Sequence, residues 1–391
     1  MNYAVARSLY EHQLLSKIYT DICSDKEPWK FIFELAKKLG SEPAARFCSR
    51  RISIDHSMIV QFPLFAFEYF LKKSNLKSKS QEFSNYIEAQ NQFSRNISKV
   101  IAKDNASHLY LFNTCALGLI KSNSDRKIVL ELCSLPFGDY LARIIKAELQ
   151  YPDWSNMHHE SLLSDAHVIQ YIEEEKNEIN LADKIVVPSN EVYQSLKKYP
   201  TGTEDIQVIP YGYSFDKEYK FRNLGQRMRI AMIGTVELRK GIQHFYNISK
   251  RCSFFDFIAI GAVGSSLPVS KIIELSKNII LTGHLNRVNL LKELERVDVL
   301  LFLSLGEGSA TAIYEALNLG IPVITTKESG SIVEHGKSGY IVFANDYEDI
   351  SAKLELLSDK EHYRMMSEEA LQRSKYGSRK AYSERLIEAL V

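Results

Sequence analysis

The sequence predicts an α/β protein made of two doubly wound domains, and three observations predict it. Short β-rich apolar runs alternate with segments of helical periodicity along most of the chain. The runs are nearly continuous in apolar character rather than alternating, which means burial on both faces and hence parallel sheets covered by helices on each side. The length, 391 residues, exceeds what one hydrophobic core usually serves.

The pattern is clearest from Gln226 onward. MRIAMIG (228–234), FFDFIAIG (254–261), NIILTG (278–283), VDVLLFLS (297–304), IPVITT (321–326) and YIVF (340–343) read as strands. GIQHFYNISKR, NRVNLLKELERV and TAIYEALNLG read as the helices between them. In the first half LLSKIYT (14–20), HLYLFNT (108–114), KIVLEL (127–132), DKIVVPS (183–189) and IQVIPYG (206–212) read as strands. FIFELAKKLG and the charged VIQYIEEEKNEINLA read as helices. The turn-rich stretch from Tyr211 to Gln226 is the expected boundary. A helix from Tyr3 to Gln13 opens the chain, where a doubly wound domain ordinarily begins with a strand. The expectation is therefore a sheet short by one strand, or residues preceding Met1.

Composition narrows the classes of function. Apolar content of 45% and charged content of 25% are those of a soluble globular protein. A formal charge of +1 gives no global sign of a nucleic-acid binder. The five cysteines (Cys23, Cys48, Cys115, Cys133, Cys252) are dispersed without CxxC pairs, which fits buried thiols in a reducing compartment. No secretory leader pattern opens the chain, and no run approaches the roughly 20 apolar residues that span a bilayer. The expected location is cytoplasmic, with surface membrane contact open.

The chemistry-bearing stretch is GEGSATAIYEALNLGIPVITT (306–326), in which seven residues separate Glu307 from Glu315. It follows the strand ending at Ser304, so LGEGSAT lies at a carboxyl-end lip, where open parallel sheets bind ligands. Gly308 permits close backbone approach and Ser309 is a natural helix N-cap. The N–H groups around Ser309 to Thr311 then offer an anion site suited to phosphate. Two carboxylates would repel a phosphate, so Glu307 and Glu315 are expected on neutral hydroxyls at its two sides, an arrangement that suits a nucleotide-sugar. The plainer alternative is a solvated loop glutamate and a helix-surface charge. At the end of the first strand of the same domain lies GTVELRKG (234–241), where Gly234 allows a tight turn and Arg239 and Lys240 could hold a diphosphate.

These residues carry a resemblance. GEGSATAIYEALNLGIPVITTKESGSIVEHGKSGYIV, GTVELRKG, LADKIVVPSNEVYQSL and VIPYG resemble the family-4 (group 1) retaining glycosyltransferases of the GT-B fold. HQLLSKIYTDI, LFNTCALGLI and KIVLELCSLP look like a branch that builds bacterial cell-surface polysaccharide. The likeness is strong over about 180–375 and weaker before. It implies two Rossmann-like domains facing each other across a cleft: 1–210 on the acceptor side, 211–375 binding the donor, and 376–391 a helix crossing back to the first domain. It implies retaining transfer from a UDP- or GDP-linked sugar to a glycan or lipid-linked acceptor, as in lipopolysaccharide, O-antigen or exopolysaccharide synthesis. No cofactor and no divalent metal are expected, nor nucleic acid as a partner. Contact with the cytoplasmic face of the inner membrane is left open.

Carried over residue by residue, Glu315 binds ribose hydroxyls, Glu307 contacts the transferred sugar, and Arg239 and Lys240 neutralise the diphosphate. The donor site also includes Gly234, Thr235, the backbone of Gly308, Ser309, Ala310 and Thr311, and the loop of His284, whose ring is expected to be buried or solvated. Two departures from the family stand out. Thr235 occupies the place of the usual Arg, and ELCSLPFGDY lacks the usual histidine between Glu131 and Tyr140, leaving Glu131, Ser134 or a backbone group for that work. These departures keep a catalytically impaired nucleotide-sugar-binding or scaffold protein as the alternative. His158 and His159 are expected to be solvated. FPLFAFEYFLKKSNLKSKS (62–80) is expected to be a core helix with a solvated lysine linker, membrane docking being the other reading.

Overall fold

The computed structural model describes residues 3–38, 47–48, 50–76, 78–213, 224 and 227–391. Every strand pair in them is parallel. The second half contains one six-stranded sheet of β7 (Arg229–Ile233), β8 (Asp256–Ile260), β9 (Ile279–Leu281), β10 (Val299–Phe302), β11 (Val323–Thr325) and β12 (Gly339–Ile341). Their spatial order is β12-β11-β10-β7-β8-β9. The chain thus winds outward from β7 in one direction and resumes at β10 in the other, which is the Rossmann order. Its topological switch point lies between β7 and β10, where Ile230 pairs with Val299 and Ala231 with Leu300.

The strands are apolar on both parities because both faces are covered. Ile230, Met232, Val299 and Leu301 enter one core, while Ala231, Ile233, Leu300 and Phe302 enter the opposite one. The first core also receives Trp154, which is 8% exposed and belongs to the first half of the chain. Its ring lies 5.7 Å from that of Tyr246, and the Asn156 N–H donates to the Ser266 carbonyl at 2.7 Å.

The first half holds a four-stranded sheet in the order β3 (His108–Phe112), β4 (Lys127–Glu131), β5 (Lys184–Val187), β6 (Ile206–Val208). Beside it runs a two-stranded ladder of β1 (Ile18–Thr20) and β2 (Ile59–Gln61). β1 is shorter than the run LLSKIYT suggests, and β2 has no counterpart among the strands expected from sequence. Side-chain parity again divides the faces. Ile128, Leu130, Ile185 and Val187 pack under the helix Lys79–Ile101 and its neighbours. Val129 and Val186 face the other way, onto Ala4 and Val5 of the helix Ala4–Glu11 and Tyr382 and Leu386 of the helix Arg379–Leu390. Most of the stretch 211–226, read as the boundary, lies outside the described residues.

VIQYIEEEKNEINLA forms the expected helix, Ala166–Leu181, and within it Glu175 and Glu178 are 2% and 1% exposed. One expectation about a helix is corrected. The segment after Phe62 does form a helix, Pro63–Ser74, yet Ala66 is its one buried residue, so it is not a core helix. Among the described residues no helix is long and apolar enough to cross a membrane.

Candidate active site at the switch point

The loops that follow β7 and β10 meet at the switch point and interlock. After β7, Gly234 adopts φ 123°, a backbone conformation that favours glycine, and the Lys240 stem passes beside it. The short turn Leu238–Lys240 is anchored by buried Leu238. It ends at Gly241 (φ 81°), where a Cβ would come within 2.1 Å of the Leu303 carbonyl oxygen. From the β10 side, the Leu305 N–H donates to the Arg239 carbonyl at 2.9 Å. The basic turn is therefore pressed onto the strand end that carries Glu307.

One carboxylate oxygen collects the polar groups of both loops. Glu307 Oε1 accepts from Lys240 Nζ at 2.5 Å, from Arg239 Nη1 at 3.0 Å and from Ser304 Oγ at 2.8 Å. Arg239 also donates through Nε to Glu237 Oε1 at 3.1 Å. Burial disfavours the guanidinium charge, but Tyr140, Glu307 and Glu237 more than offset this and hold its pKa above the ordinary value. Two cations are thus held side by side by two carboxylates, in a setting from which a more highly charged anion could displace Glu307. Thr235 lies in the same loop and is half-buried, its Cγ2 bordering Gly264.

The helix beyond Glu307 spans Thr311–Asn318 and differs from expectation at its start. Its N-cap is Ala310, and the Ala310 N–H is already spent on the Ser329 carbonyl at 3.2 Å. Ser309 does not cap it. Its hydroxyl pairs at 2.7 Å with the hydroxyl of Tyr314, which is buried and needs a polar partner there. Glu315 is not a free surface charge either: its Oε1 accepts from Tyr213 Oη at 2.5 Å and from Arg287 Nη1. Arg287 stacks over the Tyr213 ring at 5.4 Å. Arg287 opens the helix after LTGHLNR, so that loop and Glu315 border one another, while His284 is exposed.

The first half of the chain supplies the opposite lip. A methyl on Gly308 would sit 1.9 Å from the Cys133 carbonyl oxygen, so only glycine allows this approach. Ser189 Oγ donates to the Gly308 carbonyl at 2.6 Å, and Arg143, paired with Glu191 at 2.6 Å, reaches the Leu305 carbonyl at 3.5 Å. Of the residues considered in place of a histidine, Glu131 is the last residue of β4. It is buried on the Val129 face, where Tyr110 Oη donates to it at 2.6 Å, and burial raises its pKa. Cys133, expected to be buried, is exposed at the lip beside exposed Ser134.

Behind that lip two buried carboxylates brace the loops. Glu178 accepts the N–H groups of Thr114 at 2.5 Å, Ala116 at 2.7 Å and Leu117 at 2.9 Å. Glu175 accepts the Phe137 N–H at 2.6 Å and Asn113 Nδ2 at 2.7 Å. Burial pushes both carboxyls up to about 7, against the hydrogen bonds that favour their ionised forms. His158 is exposed, but His159 is not simply solvated: its Nδ1 lies 2.7 Å from buried Glu148. Arg287, Tyr213, Tyr140 and Ser189 escaped the sequence reading. Only Arg287 had a local signal, as the basic residue closing LTGHLNR.

Residues 215–373 match the family model of glycosyl transferases group 1. A curated relative, N-acetyl-alpha-D-glucosaminyl L-malate synthase of Bacillus anthracis, is 24% identical over 211 residues, covering 49% of this chain and 55% of the relative. The chain thus spans about half the length of that relative. Among solved structures, Anabaena HepE in complex with UDP superposes with a TM-score of 0.60 at 12% identity over 95% of this chain and 98% of its own. The lipopolysaccharide outer core galactosyltransferase WaaB does so with 0.57 at 12% over 96% and 99%. At these identities the structural likeness shows the shared GT-B fold of two Rossmann-like domains.

Proposed function

We propose that this chain, whose residues 215–373 match the family model of glycosyl transferases group 1, is a retaining transferase of that family. It moves a sugar from a nucleotide-diphosphate donor to a glycan or lipid-linked acceptor of a bacterial surface polysaccharide. The observation that carries the reading is the convergence of Arg239 and Lys240 on Glu307 Oε1 at the switch point. A donor diphosphate entering there exchanges with the Glu307 carboxylate for the two cations, and the released carboxylate turns to the hydroxyls of the sugar. Glu315, held beside the 281–287 loop, takes the ribose hydroxyls. The backbone of Gly308 to Thr311 borders sugar and phosphate.

In the reaction the bond from the anomeric carbon to the diphosphate breaks, and the acceptor hydroxyl oxygen forms the new bond on the same face. The acceptor proton passes to the departing phosphate oxygen. Positive charge fixed in place before the reaction stabilises the leaving group as its charge develops. The pair Arg239 and Lys240 supplies that charge, and we assign the reaction no divalent metal; full activity after chelation is the check. Contact of the lips at Gly308 and Cys133 limits water at the anomeric carbon. The likeness to HepE, solved with UDP, favours a UDP-linked donor, and the donor chemistry puts the reaction on the cytoplasmic side.

Titration calorimetry with UDP, GDP and their common sugars tests the reading. Lys240→Ala and Glu315→Ala each weaken the preferred nucleotide by about tenfold or more; unchanged affinity in both overturns it. Product configuration by NMR tests retention. Donor binding without transfer or slow hydrolysis, for every donor tried, would instead support the binding or scaffold alternative that Thr235 and the histidine-free ELCSLPFGDY raised.

A further inference from the structure

The helices Trp29–Lys38 and Pro63–Ser74 form one module of the first domain. The Trp29 and Phe67 rings are 5.3 Å apart, and Phe33, Phe47 and Phe70 continue the contact. Burial within it is thin, with Phe33 and Ala66 as the buried residues of the two helices. Outward, Leu64, Phe67 and Leu71 recur at helical spacing on one helix, and Phe31, Ile32 and Leu35 line a face of the other. Phe31 is 64% exposed, Leu64 77% and Leu71 65%. Isolated exposed apolar side chains are ordinary, but seven on two touching helices, Phe70 among them, are not.

Charge decides what covers this surface. Lys30, Lys37, Lys38 and Lys73 on the same two helices are exposed, as is Lys72, which pairs with Glu88 at 2.9 Å. The acids of these helices are turned to other partners: Glu34 lies 3.7 Å from Arg51, and Glu68 accepts from Gln92 at 2.9 Å. The cores of protein interfaces are depleted in lysine. Apolar side chains flanked by lysine stems that can bend toward phosphate fit the boundary of an anionic bilayer.

The position fits as well. Each helix follows the carboxyl end of a strand, β1 or β2. β1 and β2 run parallel to each other, and in open parallel sheets ligands bind beyond the carboxyl ends of the strands.

We propose that this two-helix surface docks on an anionic lipid membrane, seating the apolar residues at the acyl boundary and presenting the cleft mouth to acceptors held there. The proposal is independent of the donor reading.

Flotation with vesicles tests it. The full chain floats with vesicles of phosphatidylglycerol and phosphatidylcholine in equal parts and remains behind with phosphatidylcholine alone. The double variants Leu64→Glu with Leu71→Glu, and Lys37→Glu with Lys38→Glu, each lower the floated fraction about fivefold or more. An unchanged melting temperature shows that the variants are folded, and nucleotide titration, read separately, keeps a failed donor assignment distinct from a failed membrane one. Absence of flotation with anionic vesicles overturns the proposal, as does flotation that neither variant reduces. A dimer in sedimentation that Leu71→Glu dissociates, with no vesicle binding, overturns it in favour of self-association.

Discussion

Lys240 Nζ and Glu307 Oε1, from loops that follow different strands of one sheet, lie 2.5 Å apart across its topological switch point. The carboxylate and an incoming diphosphate compete for the same cations. Glu307→Gln keeps a hydrogen-bond acceptor but removes the competing charge. It should bind UDP as tightly as the parent chain or more tightly, while transfer falls about a hundredfold or more. Calorimetry and an end-point transfer assay on one preparation separate the two effects, and weaker UDP binding would contradict the competition.

Gly308→Ala tests the contact between the lips. The added methyl has no room against the Cys133 carbonyl, 1.9 Å away, so the loop or the domains must shift. The expected cost is about 1–3 kcal/mol of stability, or a more open pair of domains with reduced transfer. Thermal unfolding and small-angle scattering together register either result; a variant identical to the parent in both would show the contact to be unimportant.

Trp154→Ala tests the clasp on the far side. The indole is buried in the second domain's core, 5.7 Å from the Tyr246 ring and 5.0 Å beneath Lys271 Nζ. Its removal should cost about 3–5 kcal/mol. The larger loss should appear in the transition that melts the six-stranded sheet, as followed by hydrogen exchange at β7 and β8.

Glu175 and Glu178 give the stability a pH dependence of defined sign. Both titrate at about 7 when folded, against an ordinary value of 4.5, so the folded chain binds more protons within that interval. Their contribution is complete below about 4.5 and lost as pH rises through about 7. His244, pushed down to about 4 by burial, acts oppositely and gains stability as pH rises toward its usual 6.5. Comparing the parent with Glu175→Gln, Glu178→Gln isolates the carboxylates. Between about pH 5 and about pH 7.5 the parent should lose melting temperature relative to the double variant; parallel curves would show that these carboxyls titrate normally.

Much of the second domain was legible because its strands are buried on both faces. MRIAMIG and VDVLLFLS leave little choice but adjacent parallel strands, and the two loops singled out from sequence are those that meet. What escaped detection has physical causes. β2 has only three residues, and Gln61 and Pro63 interrupt the apolar stretch MIVQFPLFAF that contains it. Glu175 and Glu178 sit in a run of like residues, and nothing local distinguishes a glutamate that braces backbone N–H groups from one in water. Ser309 satisfies every local rule for an N-cap, yet the demand of a buried tyrosine hydroxyl outweighs it. The pairing of Glu315 with Tyr213 joins residues 102 apart in sequence, beyond the reach of any spacing rule.

The helix Arg379–Leu390 lays Tyr382 and Leu386 against Val129 and Val186 of the first domain's sheet. On the ribosome these residues emerge only after all six strands of the second sheet have been made. The first domain to be synthesised is therefore the last to complete its core, in reverse of the usual order of vectorial folding. Until then that face of its central strands has the helix Ala4–Glu11 but lacks Tyr382 and Leu386, and a nascent chain stalled before residue 379 should be the species that chaperones retain.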